Sequence, residues 1–147
     1  MALRFSLQPV LDVRHTKVEA LEISLGELLA SQQEGFQMLA AYQETQKVLY
    51  QEMVNSQQGE MDLFTLQHLQ ANARTIETRI TQVKEALKIL AGKIDEKRQE
   101  LILAKQAEEV LKTLKENENK RYQAELAAAE NRSLDDIYIS QAYHNVG

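Results

Sequence analysis

Three histidines, His15, His68 and His144, are the natural candidates for metal ligation or proton transfer, but their spacing suits neither. No two stand at i, i+4 on one helix face as a zinc site needs, and without cysteine there is no thiolate ligand, disulfide or cysteine nucleophile. The 22 acidic residues alternate with 17 Lys and Arg as on a solvated helix face, rather than converging as an acid–base pair. There is no Gly-rich phosphate loop and no nucleophile elbow. The expectation is a protein with no catalytic residue, cofactor, metal or small-molecule substrate.

Charge and hydropathy narrow the partners. A formal net charge of −5 with basic residues dispersed among acidic ones disfavours phosphate neutralisation, so nucleic acid is not expected. No stretch approaches the ~20 consecutive apolar residues of a membrane span, and MALRFSLQPVLDVRH lacks the apolar block of a signal peptide. With no cysteine, a reducing, cytoplasmic setting is expected, with another protein as the target.

Elements that would carry such a contact follow from composition and period. One proline, five glycines and 27% charged residues favour long helices over strands, and 5% aromatic residues favour a narrow core. Leu7, Leu11, Arg14, Val18, Leu21, Leu25, Leu28, Gln32, Gly35, Leu39, Tyr42, Gln46, Leu49 and Met53 keep alternating steps of four and three, the heptad register of a coiled coil. Pro9 suits a first helical turn and Ser6 a cap, which predicts a first helix over about 7–54. NSQQGEMD predicts a turn over about 55–62. A second helix follows over about 63–142, its seam running through Leu66, Leu69, Ala73, Ile76, Ile80, Val83, Leu87, Leu90 and Ile94. Near Ala104 and Ala107 the apolar steps suggest a stammer.

The predicted fold is all-α: an antiparallel two-helix coiled-coil hairpin with a longer, overhanging C-terminal helix. A turn centred on residues 57–58 places Met53 near Asp62 and Leu7 near Glu108, so the overhang begins at about residue 112. Within it, KENENKRYQAELAAAENRSLDD is helical by local pairs such as Glu116–Lys120 and Arg121–Glu125 but carries almost no apolar stripe. Ser133 and Asp136 have the form of a capping box, so the helix either restarts there, presenting Leu134, Ile137 and Tyr138, or continues as a tail.

Arg14, Gln32, Gly35 and Gln46 interrupt the seam, either to fix register or to meet a partner. GFQMLAAYQETQKVLY concentrates aromatic and Met residues beyond what one seam buries, and Phe36, off the seam, is expected to be exposed.

Both ends of the chain resemble the FliJ family of flagellar export proteins. The opening matches Phe-x-Leu-x-Pro-Val-Leu-Asp-x-Arg at Phe5, Leu7, Pro9, Val10, Leu11, Asp12 and Arg14, and the closing pattern matches at Tyr122, Glu130, Asn131, Leu134, Asp135, Asp136 and Ile137. The resemblance implies an antiparallel coiled coil acting as the stalk of a hexameric export ATPase. It also implies contact with the cytoplasmic domain of the export gate and escort of export chaperones, with the membrane met only indirectly through the export apparatus. Carried over, the ATPase ring contact falls on Leu7, Leu11, Lys120, Arg121, Tyr122 and Glu125. The gate contact falls on Phe36, Leu39, Tyr42, Gln43 and Gln46, with Leu69 and Ile76 opposite. The tail departs from the family in ending AYHNVG, without basic residues. The competing readings are a generic tether or homodimeric spacer, and the equivalent stalk protein of a virulence type III secretion system.

Overall fold

Uninterrupted helix formers and a heptad seam make two helices of this chain. The computed structural model describes residues 4–57 and 62–146. Helix α1 spans Gln8–Ser56, with 49 residues, and α2 spans Leu63–Val146, with 84; they pack against each other as an antiparallel hairpin whose second helix is the longer. Among the described residues there is no strand. None of their helices is long and apolar enough to cross a membrane.

The helix ends are set by backbone and side-chain acceptors. The Leu11 N–H donates to the Leu7 carbonyl at 3.0 Å and the Gln8 N–H to the Phe5 carbonyl at 3.0 Å, so Pro9 sits in the first turn, where its missing N–H costs nothing. This start is held by carbonyls and not by the expected Ser6 hydroxyl. Asp62 caps α2: its carboxylate accepts the Phe64 N–H at 3.2 Å and its carbonyl the Leu66 N–H at 3.1 Å. Of the NSQQGEMD turn, residues 58–61 lie outside the described residues. Of the two readings at Ser133, the continuing helix is the one observed and the restart is not: α2 runs unbroken to Val146, because Ala127–Ala129 and the flanking residues favour helix and no breaker intervenes.

The chain divides into two compact units, Met1–Glu19 with Ile102–Gly147, and Ala20–Leu101. In the second, Leu21, Leu69, Ala73, Ile80 and Ile94 are buried, and the remaining seam positions are half-buried, which is all a two-helix seam allows. Gly35 is the hole for a Leu87 knob: a Cβ there would stand 2.6 Å from Leu87 Cδ2. About one heptad away, the Arg79 guanidinium lies 6.0 Å from the centre of the Tyr42 ring.

In the first unit, Phe5, Leu11 and Leu111 form a buried cluster, with Phe5 folding back over the helix start much as a hydrophobic staple does. Arg14 donates from Nη1 to the Ala107 carbonyl at 2.7 Å, and His15 Nδ1 meets Glu108 Oε1 at 2.9 Å. These pairs correct the expected register. His15, not Leu7, faces Glu108, and Gly35 faces Leu87 where the earlier turn would put Ile80. Asn55 and Ser56, read as turn residues, are the last residues of α1, and the observed pairs place every partner about one heptad further along α2 than the expected turn would.

The stammer expected near Ala104 and Ala107 also dissolves. Counting the buried Glu108 as a seam residue restores regular steps through Ala104, Glu108 and Leu111 to the half-buried Glu118 and Tyr122. Contact along this helix therefore continues past residue 112, and only from Gln123 to His144 is every residue exposed.

Candidate partner-binding surfaces

In the unit Ala20–Leu101, α1 brings its aromatic and amide residues to one flank because Phe36, Gln43 and Tyr50 recur at heptad intervals beside the seam. Phe36 is exposed, as its off-seam position requires, and so are Gln43, Tyr50 and Met38. Leu39, Tyr42 and Gln46 are half-buried seam residues, and Gln46 Nε2 donates to the Tyr50 hydroxyl at 3.4 Å. Across the seam, Ile76 is half-buried and Leu69 is buried. Of the residues expected to meet the export gate, then, Phe36 and Gln43 are exposed outright, Leu39, Tyr42, Gln46 and Ile76 are half-buried, and Leu69 is buried in the core.

A shallow hollow on this flank is lined by Gln43, Gln46, Lys47, Tyr50, Gln51, Val54 and Asn55. It is open to solvent and carries amides with an aromatic ring, which suits hydrogen-bonded protein contact rather than enclosed chemistry. Sequence reasoning included Tyr50 in the aromatic-rich stretch Gly35–Tyr50 but left it out of the expected gate contact, although its heptad spacing from Phe36 and Gln43 was the available signal. It also missed Leu63 and Phe64, which are 67% and 75% exposed at the start of α2. Their position between the Asp62 cap and the first seam residue, Leu66, marks them as off-seam.

The other unit carries the set expected to meet the ATPase ring. Lys120, Arg121 and Glu125 are exposed, Tyr122 is half-buried, Leu7 is 38% exposed, and Leu11 is buried beneath Phe5. Leu11 therefore shapes this end of the molecule from within. Beyond Tyr122, Leu126, Leu134, Ile137, Tyr138, Ile139 and Tyr143 all stand exposed, more apolar surface than an unpartnered helix needs.

The same unit holds a charged cluster that the sequence reading passed over, because a carboxylate at a seam position reads as a break. Glu108 is buried, with His15 and Lys112 both within hydrogen-bond reach of its Oε1, at 2.9 Å and 2.8 Å. The Lys112 bond and then the His15 bond hold the Glu108 carboxyl below its ordinary value. His15 is raised, foremost by its hydrogen bond to Glu108 and then by the charges of Glu108 and Glu19, and Lys112 is raised by Glu108. Among the described residues no group of three or more His, Asp or Glu is placed to hold a metal ion.

The family model described as "Flagellar FliJ protein" matches residues 3–147, essentially the whole chain. No curated protein and no solved structure matches.

Proposed function

The chain belongs to the FliJ family of flagellar export proteins, and from that premise we propose that it is a non-enzymatic stalk and adaptor of the export apparatus. In this reading it promotes assembly of a hexameric export ATPase, makes that ring asymmetric, and links it to the cytoplasmic domain of the export gate, with export chaperones as further clients. The protein works in the cytoplasm, peripheral to the inner-membrane apparatus.

The observation that carries the reading is the end of α2: from Gln123 to His144 every residue is exposed, with apolar and aromatic side chains among them. An isolated helix that buries nothing frays in water, so a holder is required, and an export ATPase ring is the holder the family points to. Leu7, Lys120, Arg121, Tyr122 and Glu125 supply contacts there, with Leu11 positioning them. Phe36, Leu39, Tyr42, Gln43, Gln46 and Ile76, supported from the core by Leu69, supply the gate contact.

The mechanism is differential binding. A two-helix coil has no six-fold symmetry, so six chemically equal subunits around it meet different side chains and are biased toward different conformations. A ligand that binds the assembled ring better than free subunits also drives assembly, by the amount of that preference. Sedimentation of the ATPase with increasing amounts of this protein tests the claim. Growth of a hexamer species carrying one copy of the chain supports it, and an unshifted subunit distribution opposes it.

A further inference from the structure

Among the described residues, Glu108 is the one buried charged side chain, and its partners come from both helices. His15 on α1 reaches it through Nδ1 at 2.9 Å while His15 Nε2 lies 2.7 Å from Glu19 Oε1. A neutral imidazole has one N–H and one lone pair. Two carboxylates, one at each ring nitrogen, therefore require both nitrogens to be donors, and the arrangement exists only with His15 charged. Lys112 completes it from α2, on the same Glu108 oxygen at 2.8 Å.

We propose that His15, Glu19, Glu108 and Lys112 form a proton-controlled clasp that fastens the N-terminal segment, through residue 19, to α2, tight while His15 is protonated and loosened when it is not. The charged groups facing it are Arg14 and Glu19 from α1, and Glu108, Lys112 and Glu109 from α2, Glu109 acting on Lys112 by charge. On deprotonation the ring keeps one N–H. Whichever carboxylate loses it then faces a lone pair at hydrogen-bond distance, and the solvent-exposed Glu19 is the one free to swing away. Glu108 keeps Lys112, Arg14 keeps the Ala107 carbonyl, and Phe5, Leu11 and Leu111 stay packed, so the segment loosens rather than departs.

The sign follows from the directions of titration. His15 is raised above its ordinary 6.5, so its contribution is complete below that value and is lost as pH rises through the folded one. Glu108 is lowered from its ordinary 4.5, so its contribution is complete above that value and is lost as pH falls through the folded one. The clasp is tightest between the two, and a rise in pH through the folded value of His15 releases it.

Hydrogen exchange of the full chain tests this at about pH 5.5 and about pH 8.5, after correction for the intrinsic pH dependence of amide exchange, with His15→Gln and Glu19→Gln beside the wild type. The expected result is a loss of protection over residues 8–19 at the higher pH in the wild type, none over residues 70–90, and a pH-independent profile in His15→Gln. Equal protection of residues 8–19 at both pH values in the wild type, or the same loss in His15→Gln, would overturn the proposal. Should His15→Gln fail to fold, Glu19→Gln decides: with one carboxylate neutralised at an exposed site, the midpoint of the loss moves to lower pH, and an unmoved midpoint contradicts the clasp.

Discussion

Gly35 and Leu87 offer a test of register whose sign can be worked out in advance. Replacing Gly35 by Ala adds about 1 kcal/mol of helix propensity. Against this, the new methyl would stand 2.6 Å from Leu87 Cδ2 and 3.3 Å from Leu87 Cγ, so the leucine must leave its rotamer or the helices must part. Overpacking of that kind costs about 1–3 kcal/mol, so Gly35→Ala alone is expected to be neutral to destabilising by about 2 kcal/mol. With Leu87→Ala already in place the clash is gone, and Gly35→Ala becomes stabilising by about 1 kcal/mol. The double-mutant cycle, read from urea unfolding followed by circular dichroism, thus predicts a coupling of about 1–3 kcal/mol with a change of sign. If Gly35→Ala stabilises equally in both backgrounds, Leu87 does not occupy this hole and the register is wrong. Ile80→Ala in place of Leu87→Ala is the control, since Ile80 would face Gly35 only if the turn came one half-heptad earlier.

Three further outcomes follow from particular contacts. Leu11→Ala opens a cavity under Phe5 and against Leu111, and is expected to cost about 2–3 kcal/mol by urea midpoint; a loss below about 1 kcal/mol would mean the cluster is not a core. Asp62→Ala removes the acceptor for the Phe64 N–H, with an expected loss of about 1 kcal/mol that Asp62→Asn largely restores. Amides of Gln123–His144 in the isolated chain should exchange quickly; strong protection there would show that this helix needs no partner to persist.

The heptad seam was legible in the sequence almost residue by residue, since burial along both helices follows the four-and-three steps from Leu11 to Met53 and from Leu66 to Ile94. The relative register was not, and the reason lies in the repeat itself. Sliding one helix by a whole heptad returns apolar residues to apolar residues, so periodicity cannot separate the two alignments. Only residues that break the repeat distinguish them: Gly35, which must face a large knob, Arg14, which needs a carbonyl, and Glu108, which needs cations from both helices. Arg14 and Gly35 stood out as breaks that could fix register, but periodicity does not say what each one faces, and counting apolar residues alone left out Glu108 and with it the continuation of the seam to Tyr122.

The candidate surfaces divide the same way. Exposure of Phe36 and Gln43 could be read from their off-seam positions, and the exposed end of α2 from the loss of its stripe. Phe5 could not be placed, because it precedes the helix and owes its burial to Leu11 and Leu111 rather than to any local period. Phe64 was hidden by the turn beside it.

The central claim is that this chain activates by binding, without chemistry of its own. Its most direct test is the turnover of the hexameric export ATPase, measured while this protein is titrated to saturation at fixed ATPase concentration. The account predicts that turnover rises and levels off at one copy per six subunits, with loss of the rise when residues 123–147 are removed. Turnover that is unchanged at saturating protein would contradict it.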